Sequence, residues 1–573
     1  MKCVVRPWLK LALAVSLVLA VYFQSIGNPF SRFDDPFIVE VYGPNSSLSF
    51  LDIITPGSGF YYRPLVNLSY WLDFQLWGLD PTFMHLENIA VHLVNVLLVF
   101  LLTSRLPASS KTTSLPYLSA LLFGLHPINS ESVNWIAGRT DAFAAMFILC
   151  AFYCLIRAVQ EQSTRFAMLA FVVAFVGVLA KETAIMFIPV ALLVTTQWPV
   201  MPLDESRYKS WRNRFILIPF MILTILLSAL CLLVYLKRRG DNAISIFFEG
   251  GTDVIFRMIE AFGFYVKKMF LPLPLNMAIV EVAPLYLFVG IAVICTLVLS
   301  FRRSGIPGIF LASAVLFVLP ALLVATTAFA WTPYGERYLY IPSAFAVIGC
   351  LELFHRLLER WNAARWFVPV SSVIIVISFI ATLQRGKLWG DNFAMLEDIV
   401  TKTPNFGVVR NEYGILLKMA KRYDEAWKQF KIAEKQKNKS YVDRMIRLNL
   451  IGMKLLGKNQ DEAYHILLTE IGSKADGDVE LLKLININDE YMLGSAVTLE
   501  NRKKIVADII ETNESLYLKT RDPHYLYRSG QLALSVGNNG DAVVFFRKTW
   551  KNARPEAYYR EPARRLAEKL EAK

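Results

Sequence analysis

The sequence has little charge for its length. Of its 573 residues only 19% are Asp, Glu, Lys or Arg, whereas 55% are hydrophobic and 13% are aromatic. The mean hydropathy is +0.41. These values lie outside the usual balance of a soluble domain, so they exclude that class and predict a membrane protein that crosses the bilayer many times.

A basic stripe is also lacking, although the formal net charge is +13. The Lys and Arg residues are scattered through short loops and a helical tail instead of forming one face. This distribution argues against a nucleic-acid partner, and membrane topology explains it better.

Cysteine is scarce and shows no functional pattern. The six cysteines lie in or beside apolar runs, and the long polar segments contain none. Neither a disulfide framework nor a metal-type cluster is visible. Cys150 and Cys154 share a helix face, which a buried apolar surface explains.

Apolar runs predict an all-α domain of about eleven transmembrane helices. No small-x-small cleavage pattern precedes Asn28 and Pro29, so we expect the first run to be retained as a span. The runs at 116–127 and 166–180 are short and need flanking residues to complete a crossing. The predicted spans lie near residues 8–24, 86–104, 116–127, 142–160, 166–180, 183–199, 215–236, 284–300, 306–330, 338–355 and 364–383.

Lys and Arg in the short loops set the expected orientation. With a cytoplasmic N-terminus, the loops with Arg105 and Arg157 and the segments 206–214, 301–305 and 355–365 are cytoplasmic too, and only "KRRG" at 237–240 is an exception. The amphipathic segment 252–283 predicts a helix in the outer interface. The odd span count then places the C-terminal region outside, together with "RFDDPF" (32–37), "HPINSESVNWIAGRTD" (126–141), "AKET" (180–183) and "PYGERYLYIPS" (333–343).

The polar region 385–573 is predicted to form a soluble helical domain after a transmembrane domain at 1–384. Around Gly414 and Phe430 the spacing matches a tetratricopeptide helix pair, and a second match follows Gly530. The segment between them, at 449–468, fits only loosely. The pattern predicts a short solenoid, which typically binds peptides or partner proteins, with a generic helical bundle as the alternative.

Charged side chains gather at the predicted outer ends of the spans. Ionisable groups near membrane depth are costly and mark functional sites more often than chance. Cations beside an apolar groove suit a lipid-linked phosphate, and a carboxylate can deprotonate an incoming hydroxyl. The candidate residues are Asp34 and Asp35 for catalysis, with Arg63, His126, Glu131, Arg139, Asp141, Lys181, Glu182, Glu336 and Arg337 for donor-phosphate or acceptor binding.

The candidate residues also have structural explanations. Asp34 and Asp35 can cap the following helix, and the other charges can flank spans at the interface. His126 suits a helix-end cap better than a metal ligand. The carboxylates can hold a divalent ion such as Mg²⁺ or Mn²⁺, but no His or Asp spacing requires one. Their common location on one face favours the functional interpretation.

Seven segments precede the repeats in a distinctive order. They are "RFDDPF" (32–37), "YYRPLVNLSYWLD" (61–73), "HLENIAVHLVNVLL" (85–98), "LHPINSESVNWIAGRTD" (125–141), "LAKET" (179–183), "FLPLPLN" (270–276) and "GERYLYIPS" (335–343). Together with the repeats they resemble the TMTC family of O-mannosyltransferase-like membrane proteins, and more broadly the GT-C glycosyltransferases. The resemblance covers nearly the whole chain.

The resemblance implies transfer of a mannose-like sugar from a polyprenyl-phosphate donor to Ser or Thr hydroxyls of exported proteins, with inversion at the anomeric carbon. The acidic pair of the first outer loop carries over to Asp34 and Asp35, with Asp34 the first choice for general base. The charged motifs from Glu131 to Arg337 would shape the donor-phosphate and acceptor site.

The sequence departs from the family in two respects. Its repeats are few and degenerate, and "LAEKLEAK" is not an ER-retention motif, so we expect a bacterial inner-membrane protein with a periplasmic repeat domain, or an ER membrane protein with a lumenal one if eukaryotic. Transfer to a glycolipid or cell-envelope glycan stays open, as does a non-enzymatic scaffold with a repeat-mediated partner. A transporter is disfavoured because its ionisable groups would lie near the middle of the spans.

Overall fold

The computed structural model describes residues 7–43, 50–55, 62–198, 251–300, 305–326, 332–436, 440–455, 499–555 and 557–572, with a few isolated positions between them. Within these ranges the regular secondary structure is entirely helical. The predicted all-α class is therefore confirmed. The loop at 206–214, "KRRG" at 237–240 and the predicted span at 215–236, apart from two positions, lie outside the described residues.

The chain divides into two compact units, Met1–Pro404 and Asn405–Lys573. The division falls beyond residue 384, where the sequence places the end of the transmembrane domain. The helix Asn392–Lys402 accounts for the difference because it packs on the first unit. In that contact Arg385 Nη1 lies 3.0 Å from Asp398 Oδ2, and Lys402 Nζ donates to the Leu275 carbonyl at 2.8 Å.

The first unit is a bundle of helices. Its described helices are α1 Pro7–Tyr22, α2 Asp35–Tyr42, α3 Phe50–Ile54, α4 Pro64–Trp77, α5 Pro81–Ser104, α6 Pro107–Lys111, α7 Leu115–Gly124, α8 Ser130–Asn134, α9 Arg139–Glu161, α10 Thr164–Ala180, α11 Phe187–Gln197, α12 Gly251–Phe270, α13 Tyr286–Ser300, α14 Ile306–Thr326, α15 Tyr340–Arg360, α16 Phe367–Trp389 and α17 Asn392–Lys402.

Six helical stretches are long and apolar enough to cross a membrane: Trp8–Gly27, Pro81–Ser104, Ile136–Glu161, Ile306–Thr326, Glu336–Arg360 and Ala364–Trp389. Four shorter apolar helices accompany them: Leu115–Gly124, Thr164–Ala180, Glu182–Gln197 and Tyr286–Leu299. These match the predicted spans other than the one at 215–236. The chain is therefore a polytopic membrane protein.

Polar side chains of the motif at 85–98 point into the bundle. His92 hydrogen-bonds the Tyr340 hydroxyl at 2.6 Å and the Gly124 carbonyl at 3.0 Å. Asn95 donates to the same Tyr340 hydroxyl at 3.0 Å. Buried polar groups need such partners, so this motif fixes how α5 packs against its neighbours.

Helices α12 and α13 cross with their backbones in contact. A Cβ atom on Gly263 would collide with the Tyr286 carbonyl, and one on Gly290 would collide with the Ile259 carbonyl. Small residues allow membrane helices to approach this closely. Within the amphipathic segment predicted from the sequence, α12 is thus a helix that packs closely against α13 because both helices have glycine at the contact.

The predicted outer segments meet at one end of the bundle. They form short 3₁₀ turns at Pro127–Asn129, Ile136–Gly138, Glu182–Met186 and Glu336–Leu339, which pack against one another or against the adjoining helices. At the other end the loop with Arg105 meets the end of α9, where Arg105 Nη1 lies 3.3 Å from Glu161 Oε1. The described loops with Arg105 and Arg157, which the sequence assigns to the same side, are therefore neighbours.

The second unit is built from helix pairs. Its described helices are α18 Gly407–Met419, α19 Tyr423–Glu434, α20 Ser440–Leu455, α21 Leu499–Thr520, α22 His524–Ser535, α23 Asn539–Asn552 and α24 Arg560–Glu571. Gly414 of α18 lies against the Phe430 ring of α19, and Gly530 of α22 lies against the Phe546 ring of α23. Both predicted small-and-large pairs interlock as expected. Whether they belong to a continuous solenoid stays a prediction, since most of 456–498 is outside the described residues.

Two glycines of this unit give a matched pair of substitutions. A Cβ on Gly414 would lie 2.5 Å from the Phe430 ring, whereas one on Gly452 would meet only the Lys418 ammonium at 3.4 Å. We expect Gly414→Ala to destabilise the unit by about 1–3 kcal/mol through overpacking. Gly452→Ala should stabilise α20 by roughly 0.5–1 kcal/mol because helical glycine is entropically costly.

Limited proteolysis of the full chain over a temperature series measures this contrast. Cleavage within 405–573 should begin at a lower temperature in Gly414→Ala and at a higher one in Gly452→Ala. Equal behaviour of the two variants would contradict the interlocking role of Gly414.

Candidate active site

Asp35 is the first residue of α2, and its carboxylate holds the loop before it. The residue is 1% exposed. Its Oδ2 accepts from the Ser31 N–H at 2.8 Å, and its Oδ1 accepts from the Ala137 N–H at 3.2 Å. Burial raises the pKa of Asp35 to about 6, although these N–H donors oppose the rise. Asp35 therefore ties the first outer loop to the turn at Ile136–Gly138.

Asp34 stands beside it in a different environment. Its side chain is exposed and makes no capping hydrogen bond to α2. Among the described residues its carboxylate has no hydrogen-bond or ion-pair partner. Although the residue is exposed, the protein that surrounds its carboxylate raises the pKa of Asp34 by desolvation, while the guanidinium groups of Arg337 and Arg63 oppose the rise. Helix capping therefore does not explain Asp34.

Arg63 and Glu182 form the most accessible ion pair of the site. Arg63 directly precedes α4, and Glu182 begins the 3₁₀ turn after α10. Arg63 Nε lies 3.0 Å from Glu182 Oε2, and Nη2 lies 2.6 Å from Oε1. The side chains are 18% and 32% exposed. Two parallel hydrogen bonds of this kind match the guanidinium fork to an oxyanion.

Lys181 and Asp141 form a buried pair next to it. Lys181 Nζ lies 2.5 Å from Asp141 Oδ1, and both side chains are 6% exposed. The ammonium also lies 5.4 Å from the centroid of the Tyr338 ring. Lys181 and Glu182 are adjacent in sequence, so the two ion pairs are neighbours along the chain.

Arg337 and Glu131 form the third pair. Arg337 Nη1 lies 2.7 Å from Glu131 Oε1, and the Arg337 N–H donates to Glu131 Oε2 at 3.2 Å. Burial raises the pKa of Glu131, and the Arg337 charge opposes this. The guanidinium carbon lies 5.3 Å from the Trp135 ring centroid and 4.8 Å from that of Tyr338. Tyr338 thus contacts the cations of both buried pairs.

Glu336 is buried and paired with a lysine that the sequence did not single out for the site. Lys268 Nζ lies 2.5 Å from Glu336 Oε1, and the Asn276 N–H donates to the same oxygen at 3.0 Å. Tyr338 and Lys268 were both missed. Tyr338 lies inside a quoted motif, whereas a lysine at the end of an amphipathic helix gives no signal that separates it from an interfacial charge.

Arg139 is in the bundle interior with all its donors engaged. The residue is 0% exposed. Its guanidinium pairs with Asp73 Oδ2 at 2.6 Å and with Glu87 Oε2 at 3.1 Å, and Nε donates to Asn88 Oδ1 at 2.9 Å. Further donation reaches the Ser69 hydroxyl and the Met84 carbonyl. This environment suits a structural role that joins α4, α5 and α9.

His126 is also satisfied by the protein. Its Nε2 lies 3.1 Å from the Met269 carbonyl, and its Nδ1 accepts from the Ile128 N–H at 3.3 Å. Burial lowers its pKa to about 4, which keeps the ring neutral. The helix-end cap considered from the sequence therefore accounts for its contacts.

The remaining candidates form one charged cluster at the end of the bundle. Each cation of the cluster faces a carboxylate, and Asp34 is the accessible carboxylate without such a partner among the described residues. An entering phosphate can compete for an arginine fork, and Asp34 can accept a proton. In the described part of the chain, no group of three or more His, Cys, Asp or Glu side chains is arranged to hold a metal ion.

The described residues define a polytopic all-α membrane protein with a charged cluster at one end of its helices. No protein-family model matches the sequence. The chain is similar to Caenorhabditis elegans protein O-mannosyl-transferase F38B6.6, with 21% identity over 454 residues, which is 73% of this chain and 62% of that protein. It is 24% identical to human protein O-mannosyl-transferase TMTC3 over 412 residues, 64% of this chain and 44% of the relative.

A shorter match reaches higher identity. Mouse protein O-mannosyl-transferase TMTC1 is 32% identical over 143 residues, 23% of this chain and 15% of the relative. The chain thus spans less than two thirds of the length of each of these relatives. The resemblance that the motifs indicate is confirmed, because the chain is similar to protein O-mannosyl-transferases of the TMTC type.

Proposed function

We propose that the chain is a GT-C-type glycosyltransferase that transfers a mannose-like sugar from a polyprenyl phosphate to Ser or Thr hydroxyls of exported proteins. The observation that carries the proposal is Asp34, an exposed residue whose carboxylate is influenced by the charges of Arg337 and Arg63. The similarity to proteins named O-mannosyl-transferases supports the reaction class.

Asp34 is the proposed general base. It takes the proton of the acceptor hydroxyl while the hydroxyl oxygen forms a bond to the anomeric carbon. The bond from that carbon to the phosphate oxygen breaks, its electron pair stays on the polyprenyl phosphate, and the configuration inverts. Asp35 acts differently, because its two oxygens already accept backbone N–H groups and hold the loop in place.

Arg337 and Arg63 are the proposed phosphate ligands. Both lie close enough to Asp34 to affect its pKa, and charge on a leaving phosphate is stabilised by such preorganised donors. Glu182 and Glu131 hold these guanidinium groups in the absence of the donor. Lys181 and Asp141 support the arrangement through Tyr338, whereas Arg139 and His126 maintain the bundle.

In vitro transfer tests the proposal directly. Purified chain is supplied with polyprenyl-phosphate mannose and either a Ser/Thr-containing peptide or an extracted glycolipid. Mannose on the peptide is the expected result. Mannose on the glycolipid alone would favour the alternative acceptor, and no transfer to either would favour a scaffold.

The rate should have an acidic limb set by Asp34. A base works only when deprotonated, so activity persists above its pKa and is lost as the pH falls through it. Because desolvation raises the pKa of Asp34, the limb should lie above the value of about 3.9 for an unperturbed aspartate. Arg63→Gln removes an opposing positive charge, so it should move the limb to still higher pH.

Rates at saturating donor and acceptor over about pH 4–8 measure this limb. A limb that stays at the same pH in Arg63→Gln would contradict the electrostatic coupling. A wild-type limb at the ordinary aspartate value would contradict the desolvated base.

A further inference from the structure

Lys268 lies near the C-terminal end of α12, within the segment 252–283 that the sequence predicts to be a helix in the outer interface. The residue is instead 3% exposed. Its ammonium lies 2.5 Å from Glu336 Oε1 and 3.2 Å from the Pro272 carbonyl, and it also donates to the Pro274 carbonyl. All three N–H donors of the ammonium therefore have acceptors.

These contacts fasten one loop to another. The Asn276 N–H donates to the same Glu336 oxygen at 3.0 Å, and the Tyr334 N–H donates to the Ile279 carbonyl at 3.3 Å. The motif at 270–276 is thus held against the segment that carries Glu336. The next residue is Arg337, whose own N–H and guanidinium both bind Glu131.

A buried ion pair contributes little net stability because both charges lose their hydration. The Lys268–Glu336 pair does restrict the positions of the two loops, because one ammonium donates three hydrogen bonds that bind both of them. We infer that Lys268 is a positioning residue that fixes Arg337 for the phosphate of the lipid-linked donor. This inference rests on the proposed function, in which Arg337 binds that phosphate.

Lys267 provides a matched control. It precedes Lys268 on the same helix and donates to the Leu273 carbonyl of the same loop. Its ammonium forms no ion pair among the described residues and feels Glu336 only at longer range, and its contact is exposed. Lys267→Met and Lys268→Met therefore make the same substitution at adjacent positions. Only Lys268→Met removes the ion pair with Glu336.

Binding of polyprenyl phosphate, without a sugar, to the purified full chain is the primary test. Misplacement of groups at a reacting centre by about 1 Å can cost on the order of 100-fold in rate, and by analogy we expect Lys268→Met to weaken binding by roughly 10- to 100-fold. Lys267→Met should bind like the wild type, and Lys268→Arg should keep part of the affinity because it retains the charge. In transfer assays the KM for the donor should rise more than kcat falls per folded enzyme.

The double variant Lys268→Met with Glu336→Gln distinguishes two effects of losing Lys268. One is the misplacement of Arg337, and the other is the buried Glu336 carboxylate left without its cation. The double variant removes the uncompensated buried carboxylate, so it should recover thermal stability without recovering polyprenyl-phosphate affinity. Restored affinity in the double variant, or unchanged affinity in Lys268→Met, would overturn the inference. A wild-type chain that does not bind polyprenyl phosphate would instead contradict the proposed function itself.

Discussion

Asp34→Asn should lower the rate of mannose transfer by about 10²- to 10⁴-fold, the contribution typical of a positioned general base. Asparagine keeps the size of the side chain but cannot accept the proton. Because the Asp34 carboxylate makes no hydrogen bond or ion pair with the described residues, the fold should be unaffected. The measurement is the transfer rate per folded enzyme, with the thermal unfolding midpoint as the fold control.

Asp35→Asn is the matched comparison. It replaces one oxygen of a side chain that accepts the Ser31 and Ala137 N–H groups, so it should lower the unfolding midpoint as well as the rate. A folded Asp34→Asn chain with the wild-type rate would eliminate Asp34 as the base. A larger loss of rate per folded enzyme in Asp35→Asn would assign that role to Asp35.

Arg139→Gln should cause the largest loss of folded protein. The side chain is 0% exposed and compensates both Asp73 and Glu87. Removing one partner from a buried ion pair costs about 3–5 kcal/mol because a charge is left uncompensated. The thermal unfolding midpoint in detergent and the yield of folded chain measure this effect.

Arg157→Gln on the same helix is the control. Arg157 pairs with Glu161 at the surface, where such pairs contribute only about 0–1 kcal/mol. We expect its unfolding midpoint to stay close to that of the wild type. If Arg139→Gln folds normally and instead raises the KM for the donor, Arg139 belongs to the phosphate site. The structural role that we assign to it would then be wrong.

The sequence predicted the ends of the bundle better than the pairings within the site. Alternating loop charge predicted that the motifs at 32–37, 126–141, 180–183 and 333–343 share one side, and hydrogen bonds and ion pairs do link them. That inference needs only the apolar runs and the positions of Lys and Arg. The pairing of cations with carboxylates depends on the rotation and depth of each helix. Hydropathy does not determine either of these.

Arg139 and Lys268 show why side-chain pairings could not be predicted from the sequence. Arg139 stands two residues before Asp141 in a charged motif, yet its partners are Asp73 and Glu87 on other helices. Lys268 pairs with Glu336 across 68 positions of the chain. Long-range pairs of this kind leave no periodic trace in a single sequence. The cap explanation for His126 could be read locally, because Pro127 and the Ile128 N–H follow directly.

We propose that the chain glycosylates exported proteins through Asp34. Mass spectrometry of exported proteins and envelope glycans from cells with the wild-type chain, without it, and with Asp34→Asn tests it most directly. We predict hexose on Ser or Thr residues only in cells with the wild-type chain. Identical protein modification in all three, or a change confined to glycolipids or envelope glycans, would contradict the claim.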